Sequence, residues 1–409
     1  MKVLIIGAGF HNMGAEAMLV TLSKHLRRRF PRATPYHVCR NPTWRRRFEQ
    51  IGVTPIADDR GYVSRKHRWP EFAKGLLSLP LPKKGYLPAG LWRQFDAVLD
   101  ISGFAWGDQW SAEMAMNGWW RSWQLQSLGI PFVFLPQAWG PFHDPRVHLC
   151  TKLALGGADM VYARDETSYA HLHRLGTLPG DRLRLAADIA FHFEPSSPQV
   201  GHGILSDLEV LPGTRCLVGI APNMRVYDRF AGEGAENGYV RLLIDICRTF
   251  IRQTDCNLVV VPHEVREGAT HDDCYIARLL DQAVDSDRLH TVQRAHTAAE
   301  IKSLIGHFHF LVASRYHTLI AALSLRVPAI ALGWSHKYRE LLRSVDLEEY
   351  ALGLVQMNSQ APHVALRGWT NRDALRQKLI RHVARLEASS RSVLEGTFDL
   401  LEARCRSTS

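Results

Sequence analysis

The sequence predicts an α/β protein built from two Rossmann-like halves facing each other across a cleft, and three observations carry that expectation. Short apolar, strand-like runs alternate with amphipathic helical stretches almost throughout, the pattern of parallel sheets covered by helices. A length of 409 residues is long for a single core, so two domains of similar size follow. Polar and glycine residues recur just after the strand-like runs, where open parallel sheets bind their ligands.

In the first half, strands are expected at Lys2–Gly7, Pro35–Cys39, Ala97–Ile101, Phe132–Leu135 and Met160–Ala163, with amphipathic stretches such as Ala15–Phe30 and Ser111–Leu128 between them. The opening run is too short for a secretion signal and breaks into Gly-Ala-Gly and then polar residues, so it reads as a buried first strand. The Pro/Ser-rich run from Glu194 to Gln199 marks the joint. The second half repeats the rhythm at Leu217–Ala221, Leu258–Val261, Leu289–Val292, Phe310–Ala313 and Ala329–Leu332, and Arg372–Ala403 reads as one long helix without proline. The expected domains are therefore 1–195, 196–368 and a helical segment 369–409.

An apolar fraction of 46% with 22% charged residues is ordinary for a soluble globular protein. No apolar stretch approaches about 18 residues, so no membrane span is expected. The seven cysteines are scattered, without a C-x-x-C pair, which argues against disulfide or zinc frameworks and for a reducing cytoplasm. The net charge of +10 is concentrated: residues 24–84 hold sixteen Lys/Arg against four acids, a local +12. That interval, with Trp44, Phe48, Trp69 and Phe72, is either a solvated basic surface or a face for anionic lipid or a polyanionic glycan. No nucleic-acid-binding motif accompanies the charge.

Chemistry-bearing residues cluster at the expected strand ends. Asn12 and Gly14 follow the first strand, Asp100 closes the third, and Arg164 follows the fifth. In the second half Asn223 and Arg225, then His263, then Ser314, Arg315 and His317, and finally Lys337 repeat the placement. At Ser314–His317 the chain leaves a strand and enters a helix, whose unpaired N–H groups and dipole favour an anion. No acid occurs between Ser314 and Arg339, so the expected ligand is negatively charged.

These pieces resemble the polysaccharide pyruvyl transferase family. The resemblance rests on Gly9-Phe10-His11-Asn12-Met13-Gly14-Ala15-Glu16-Ala17, Asp100-Ile101-Ser102-Gly103, Gln137-Ala138-Trp139-Gly140-Pro141-Phe142 and Ala163-Arg164-Asp165-Glu166-Thr167-Ser168. It continues through Val261-Pro262-His263, Ser314-Arg315-Tyr316-His317, Val327-Pro328-Ala329 and His336-Lys337. The R-x-H block, followed by an alanine-rich helix and V-P, is its most specific part. Ala15 departs from a common Asp, and Phe104 from a usual second Gly, both in the half expected to hold the acceptor.

The resemblance implies a GT-B-like fold and transfer of a pyruvyl group from phosphoenolpyruvate to a sugar of a glycan or lipid-linked precursor, forming a cyclic ketal. Phosphoenolpyruvate carries a phosphate and a carboxylate close together, so its site needs several cations and fixed N–H donors. Arg315, Lys337 and Arg164 are the candidate cations. His317 is the expected general acid toward the methylene carbon, and His263 orients or deprotonates the acceptor. Phosphoenolpyruvate is a co-substrate, so no cofactor is expected; no metal is required and no ligand cluster of the right type is visible.

Structural alternatives stand beside these roles. Arg315 could pair with a carboxylate, Arg164 with Asp165 or Glu166, and Lys337 could be a solvated helix residue. Asn12 and Gly14 could be turn-formers, and Asp100 could bind a hydroxyl or cap the next helix. The Trp106–Trp110 segment could stack on a sugar or belong to the core. The rival functions are a nucleotide-sugar glycosyltransferase, which wants a carboxylate for the ribose diol, and a catalytically silent glycan-binding protein. The expected location is the cytoplasm, with peripheral association at the inner membrane face if the acceptor is lipid-linked.

Overall fold

A computed structural model describes residues 1–39, 41–57, 89–210, 213–266 and 271–407. Among them the chain builds two sheets, parallel at every pairing. The first has seven strands: β1 (Lys2–Ile6), β2 (Thr34–Cys39), β3 (Thr54–Ala57), β4 (Ala97–Asp100), β5 (Phe132–Gln137), β6 (Met160–Ala163) and β7 (Leu183–Leu185). Their spatial order is β3-β2-β1-β4-β5-β6-β7. The second has six: β8 (Leu217–Ala221), β9 (Asn257–Val260), β10 (Leu289–Thr291), β11 (Phe310–Ala313), β12 (Ala329–Leu332) and β13 (Ala351–Leu352), in the order β10-β9-β8-β11-β12-β13.

Each sheet is doubly wound. The strand order reverses between β1 and β4 in one and between β8 and β11 in the other, and such switch points are where open α/β sheets hold ligands. The inner strands β4, β5, β6, β8, β9, β11 and β12 are buried along their whole length. Helices cover both faces of such a strand, so near-continuous apolar runs result, and these are the strands that the sequence pattern announces. The strands it does not announce are the short edge strands β3, β7 and β13. Pro55, within β3, is tolerated because an edge strand leaves one side of its ladder unpaired.

The chain divides into two compact units. One comprises residues 1–8, 22–188 and 392–409; the other comprises 9–21 and 189–391. The chain first crosses between Ala8 and Gly9, the second crossing falls inside the helix Met13–Arg29, and the last falls inside the helix Arg372–Ser407. The second unit thus owns the Gly9–Thr21 segment, tied to it by backbone bonds from Met13 N to the His263 carbonyl (3.3 Å) and from Val265 N to that of His11 (3.1 Å). The end of the long helix belongs to the first unit: Phe398 meets Phe30 edge-on at 5.9 Å, and Arg29 pairs with Glu402 at 2.5 Å.

Candidate functional site

The second unit gathers most of the expected site residues at the carboxyl ends of β8, β9, β11 and β12. Asn223 follows β8 and caps the short helix Met224–Tyr227, its Oδ1 accepting from Arg225 N at 2.8 Å. Its Nδ2 crosses the switch point and donates to the Ser314 carbonyl at 2.6 Å. Tyr338 also donates to that carbonyl, at 2.9 Å, while the Tyr239 hydroxyl donates to Ser314 Oγ at 2.6 Å. Ser314 is fully buried. Both residues are therefore girders of the R-x-H turn, with their polar atoms bound inside the protein.

Arg315 differs most from its expected role. Its side chain is buried and bound to two carboxylates: Nε donates to Asp273 Oδ2 (2.8 Å), and the terminal nitrogens donate to Asp273 Oδ1 and to Glu264 Oε2 (2.5 Å). Glu264 is shared with Arg266. The acid-free interval after Ser314 is real in sequence, but the fold brings acids from 42 and 51 residues away. Arg315 as a free grip on an anionic substrate is thereby corrected: its charge is already balanced within the protein. Burial would raise the Glu264 carboxyl, but the charge and hydrogen bond of Arg315, followed by Arg266, outweigh it and hold the group at about 2.

The two histidines are brought together. His263, after β9, is buried, and His317, in the first turn of the helix Tyr316–Ser324, is half-buried; both line one small cavity walled by Ala190, Ile301, Ile320 and the Lys302 side chain. Among the described residues, His263 Nδ1 is buried without a hydrogen-bond partner. Burial depresses the His263 pKa well below the usual imidazole value, the positive charges of Arg315 and of a protonated His317 depress it further, and Glu264 only partly opposes them. His263 is accordingly neutral at neutral pH.

Lys337 is buried, not solvated. Its ammonium lies 4.9 Å from the Trp334 ring centre, 5.5 Å from that of Tyr316 and 5.4 Å from that of Tyr338. Trp334 also carries the Arg229 guanidinium at 4.2 Å. Aromatic faces attract cations, so buried Lys337 and exposed Arg229 share the Trp334 ring and, with exposed Arg225 four residues before Arg229, form a positive cluster. Burial lowers the Arg229 pKa, and the charge of Arg225 lowers it further. The Tyr316 ring then meets His317 edge-on at 5.4 Å, linking this cluster to the imidazoles.

Asn12 caps the helix Met13–Arg29, its Oδ1 accepting from Gly14 N (2.9 Å) and Ala15 N (3.4 Å). Gly14 has a steric reason to be glycine: a β-carbon there would lie 2.0 Å from His317 Nδ1 and 2.6 Å from His317 Cβ.

The first unit holds the other two predicted residues, both buried in internal pairs. Arg164 donates to Asp188 Oδ2 at 3.1 Å. Asp165 instead caps the following helix through Ser168 N. Asp100 accepts from Ser102 N (2.8 Å) and Arg121 (3.3 Å), while the next full helix, Ala112–Ser127, is capped by Ser111. Trp106 is core, stacked on Trp139 at 5.9 Å. Of the basic interval 24–84, Lys24, Arg27, Arg28, Arg32 and Arg46 are exposed. Residues 58–84, with Trp69 and Phe72, lie outside the described residues. No helix among the described residues is long and apolar enough to cross a membrane, and no group of three or more His, Cys, Asp or Glu among them could hold a metal ion.

Sequence reasoning missed Asp273, Glu264, Arg229, Trp334 and Lys302. The Asp272-Asp273 doublet at a helix start was a visible signal, since one acid suffices for a cap.

A family model described as polysaccharide pyruvyl transferase matches residues 12–336. Among solved structures, the chain is similar to a UDP-GlcNAc 2-epimerase from Neisseria meningitidis bound to UDP-GlcNAc, at 11% identity and a TM-score of 0.63, covering 98% of this chain and 100% of that one. It is similar to a putative UDP-N-acetylglucosamine 2-epimerase from Listeria monocytogenes at 12% identity and 0.62, covering 98% and 97%. A glycosyltransferase from Rickettsia africae matches at 10% identity and 0.56, covering 99% and 98%. At such identities the likeness establishes the fold alone, which is of the GT-B type.

Proposed function

Since this chain belongs to the polysaccharide pyruvyl transferase family, we propose that it moves a pyruvyl group from phosphoenolpyruvate onto two hydroxyls of a glycan or a lipid-linked glycan precursor. The observation that carries the reading is a buried ammonium, Lys337, placed with two imidazoles at neighbouring strand ends of one sheet. Lys337, with Arg229 and Arg225 beside it, takes the phosphate and carboxylate of the donor. These replace Arg315 and Arg164, whose charges are met inside the protein.

His317 gives a proton to the methylene carbon, and the central carbon gains oxocarbenium character. A sugar hydroxyl adds to that carbon and yields its proton to His263, which burial and Arg315 keep neutral and ready to accept it. Phosphate leaves by cleavage of its bond to the central carbon, the second hydroxyl closes the ring on that carbon and its proton goes to the departing phosphate, and exchange with water returns the proton from His263 to His317; the products are a cyclic ketal and inorganic phosphate. The nucleotide-sugar alternative wants a carboxylate for a ribose diol, but Glu264 and Asp273 are engaged by arginines. In the lipid-linked form of the proposal, the exposed arginines of the first unit rest on an anionic membrane surface at the cytoplasmic face.

The test is acceptor-dependent phosphate release from phosphoenolpyruvate, with mass analysis of the glycan for the added pyruvate. Stabilisation by a nucleotide sugar but not by phosphoenolpyruvate, with no phosphate released, would overturn the reading.

A further inference from the structure

Asp273 is fully buried and accepts five hydrogen bonds. Met224 N donates to Oδ1 at 3.0 Å; His263 N and Glu264 N donate to Oδ2 at 3.1 and 2.8 Å; Arg315 donates to both oxygens. These donors come from the turns after β8, β9 and β11, so one carboxylate ties together three strand ends around the switch point. Burying a carboxylate is costly unless donors of this kind surround it.

Helix capping does not account for the residue. Asp272 caps the helix Asp273–Val284 through Cys274 N (3.0 Å) and Tyr275 N (3.3 Å), and it also accepts from Arg266 N (2.9 Å). The second acid of the doublet is free for another task.

Its bonds fix the backbone and the arginine that carry or adjoin the two histidines. His263 is held through its own N–H, and His317 lies two residues beyond the arginine that Asp273 grips. Glu264 also forms a bridge with Asn12, next to the segment where Gly14 abuts His317.

We propose that Asp273 is the positioning residue of this site: through Arg315 and the 263–264 backbone it sets the relative placement of His263 and His317. The role in turnover rests on the reading given above, whereas the placement itself does not. Misplacing reacting groups by about 1 Å costs on the order of a hundredfold in rate.

The experiment is nitrogen-15 histidine NMR of the full-length protein at pH 7, without substrate, for wild type and Asp273→Asn. The two signals are assigned with His263→Asn and His317→Asn. The expected result is displacement of the His263 and His317 ring signals while the other eighteen histidines hold their positions. In the phosphate-release assay, kcat should fall about a hundredfold with the KM for phosphoenolpyruvate within about threefold. In a folded variant, unmoved His263 and His317 signals would overturn the proposal, as would shifts spread over the histidines at large, which would mark Asp273 as general core. If Asp273→Asn does not fold, Asp273→Glu, which keeps the charge but shifts it by one methylene, is read by the same criteria. A wild type that releases no phosphate from phosphoenolpyruvate would count against the proposed function and leave the NMR result standing.

Discussion

Gly14 and His317 are in direct steric register: the space that a side chain at Gly14 would fill is the imidazole of His317. The helix Met13–Arg29 starts beside the R-x-H turn at a distance only glycine permits. Gly14→Ala places a methyl within 2.6 Å of His317 Cβ, so the clash is not relieved by turning the ring alone. Overpacking of this kind costs about 1–3 kcal/mol. We expect a matching fall in unfolding free energy and a fall in kcat of about a hundredfold, measured by urea denaturation and phosphate release. A fully active Gly14→Ala would separate His317 from the chemistry.

The two histidines should fail differently. On the proposed mechanism His317→Ala removes the proton donor of the transition state, so kcat should fall while the KM for phosphoenolpyruvate changes little. His263 is neutral down to a pH well below 6.5, so wild-type activity should hold through pH 6.5 and decline only below it as His263 protonates. In His263→Gln that acid-side decline should lose its His263 component. The check is the pH dependence of kcat/KM for both enzymes.

Much of this site was legible at the level of place. Ser314, Arg315, His317, His263, Asn223 and Lys337 stand at strand ends because parallel strands announce themselves as apolar runs, and the polar residue after each run is visible in sequence. Partnership was not legible. Arg315 looked free because its partner acids lie 42 and 51 residues away, joined to it only when β9 and β11 flank β8 in one sheet. Lys337, a candidate cation, could equally be read as a solvated helix residue for the converse reason, since Trp334, Tyr316 and Tyr338 enclose it only after folding. The edge strands β3, β7 and β13 escaped notice because they are short and carry weak patterns.

Arg315→Ala is, for the same reason, a stability mutation first. It leaves Asp273 and Glu264 buried without their main counter-charge, a change that costs about 3–5 kcal/mol. Glu264 titrates at about 2 in the folded protein against 4.5 in the unfolded chain. Its contribution, on the order of 3 kcal/mol, is therefore complete above pH 4.5 and lost as the pH falls toward 2. Acid titration of unfolding stability should show Glu264→Gln losing less than wild type across that window. Parallel acid curves would dissolve the assigned ion pair.

Lys302 gives a signal of the same sign at alkaline pH, from a charge that burial penalises rather than one that a partner stabilises. Its ammonium donates to the Phe193 carbonyl at 2.6 Å, and burial pulls its pKa down to about 8 from 10.5, although the charge of Glu387 pulls the other way. Between those values the unfolded chain binds more protons than the folded one, so stability attributable to Lys302 rises with pH. The urea midpoint of wild type should gain on that of Lys302→Met between pH 8 and 10.5, by at most about 3 kcal/mol in free energy.

The exposed cations on the first unit set up the last expectation. Lys24, Arg27, Arg28, Arg32 and Arg46 face solvent, whereas Arg29 is engaged by Glu402 and Arg45 sits 3.6 Å from Glu49. Each basic residue near an anionic membrane contributes about 1 kcal/mol, screened over roughly 10 Å at 0.1 M salt. Vesicles containing phosphatidylserine should therefore retain the wild-type protein at low salt and release it progressively toward 0.5 M. The combined Arg28→Gln, Arg32→Gln and Arg46→Gln variant should bind more weakly by about 2–3 kcal/mol at low salt, with turnover of a soluble acceptor unchanged. Retention that ignores both salt and lipid charge would leave the acceptor of the reaction without a membrane address.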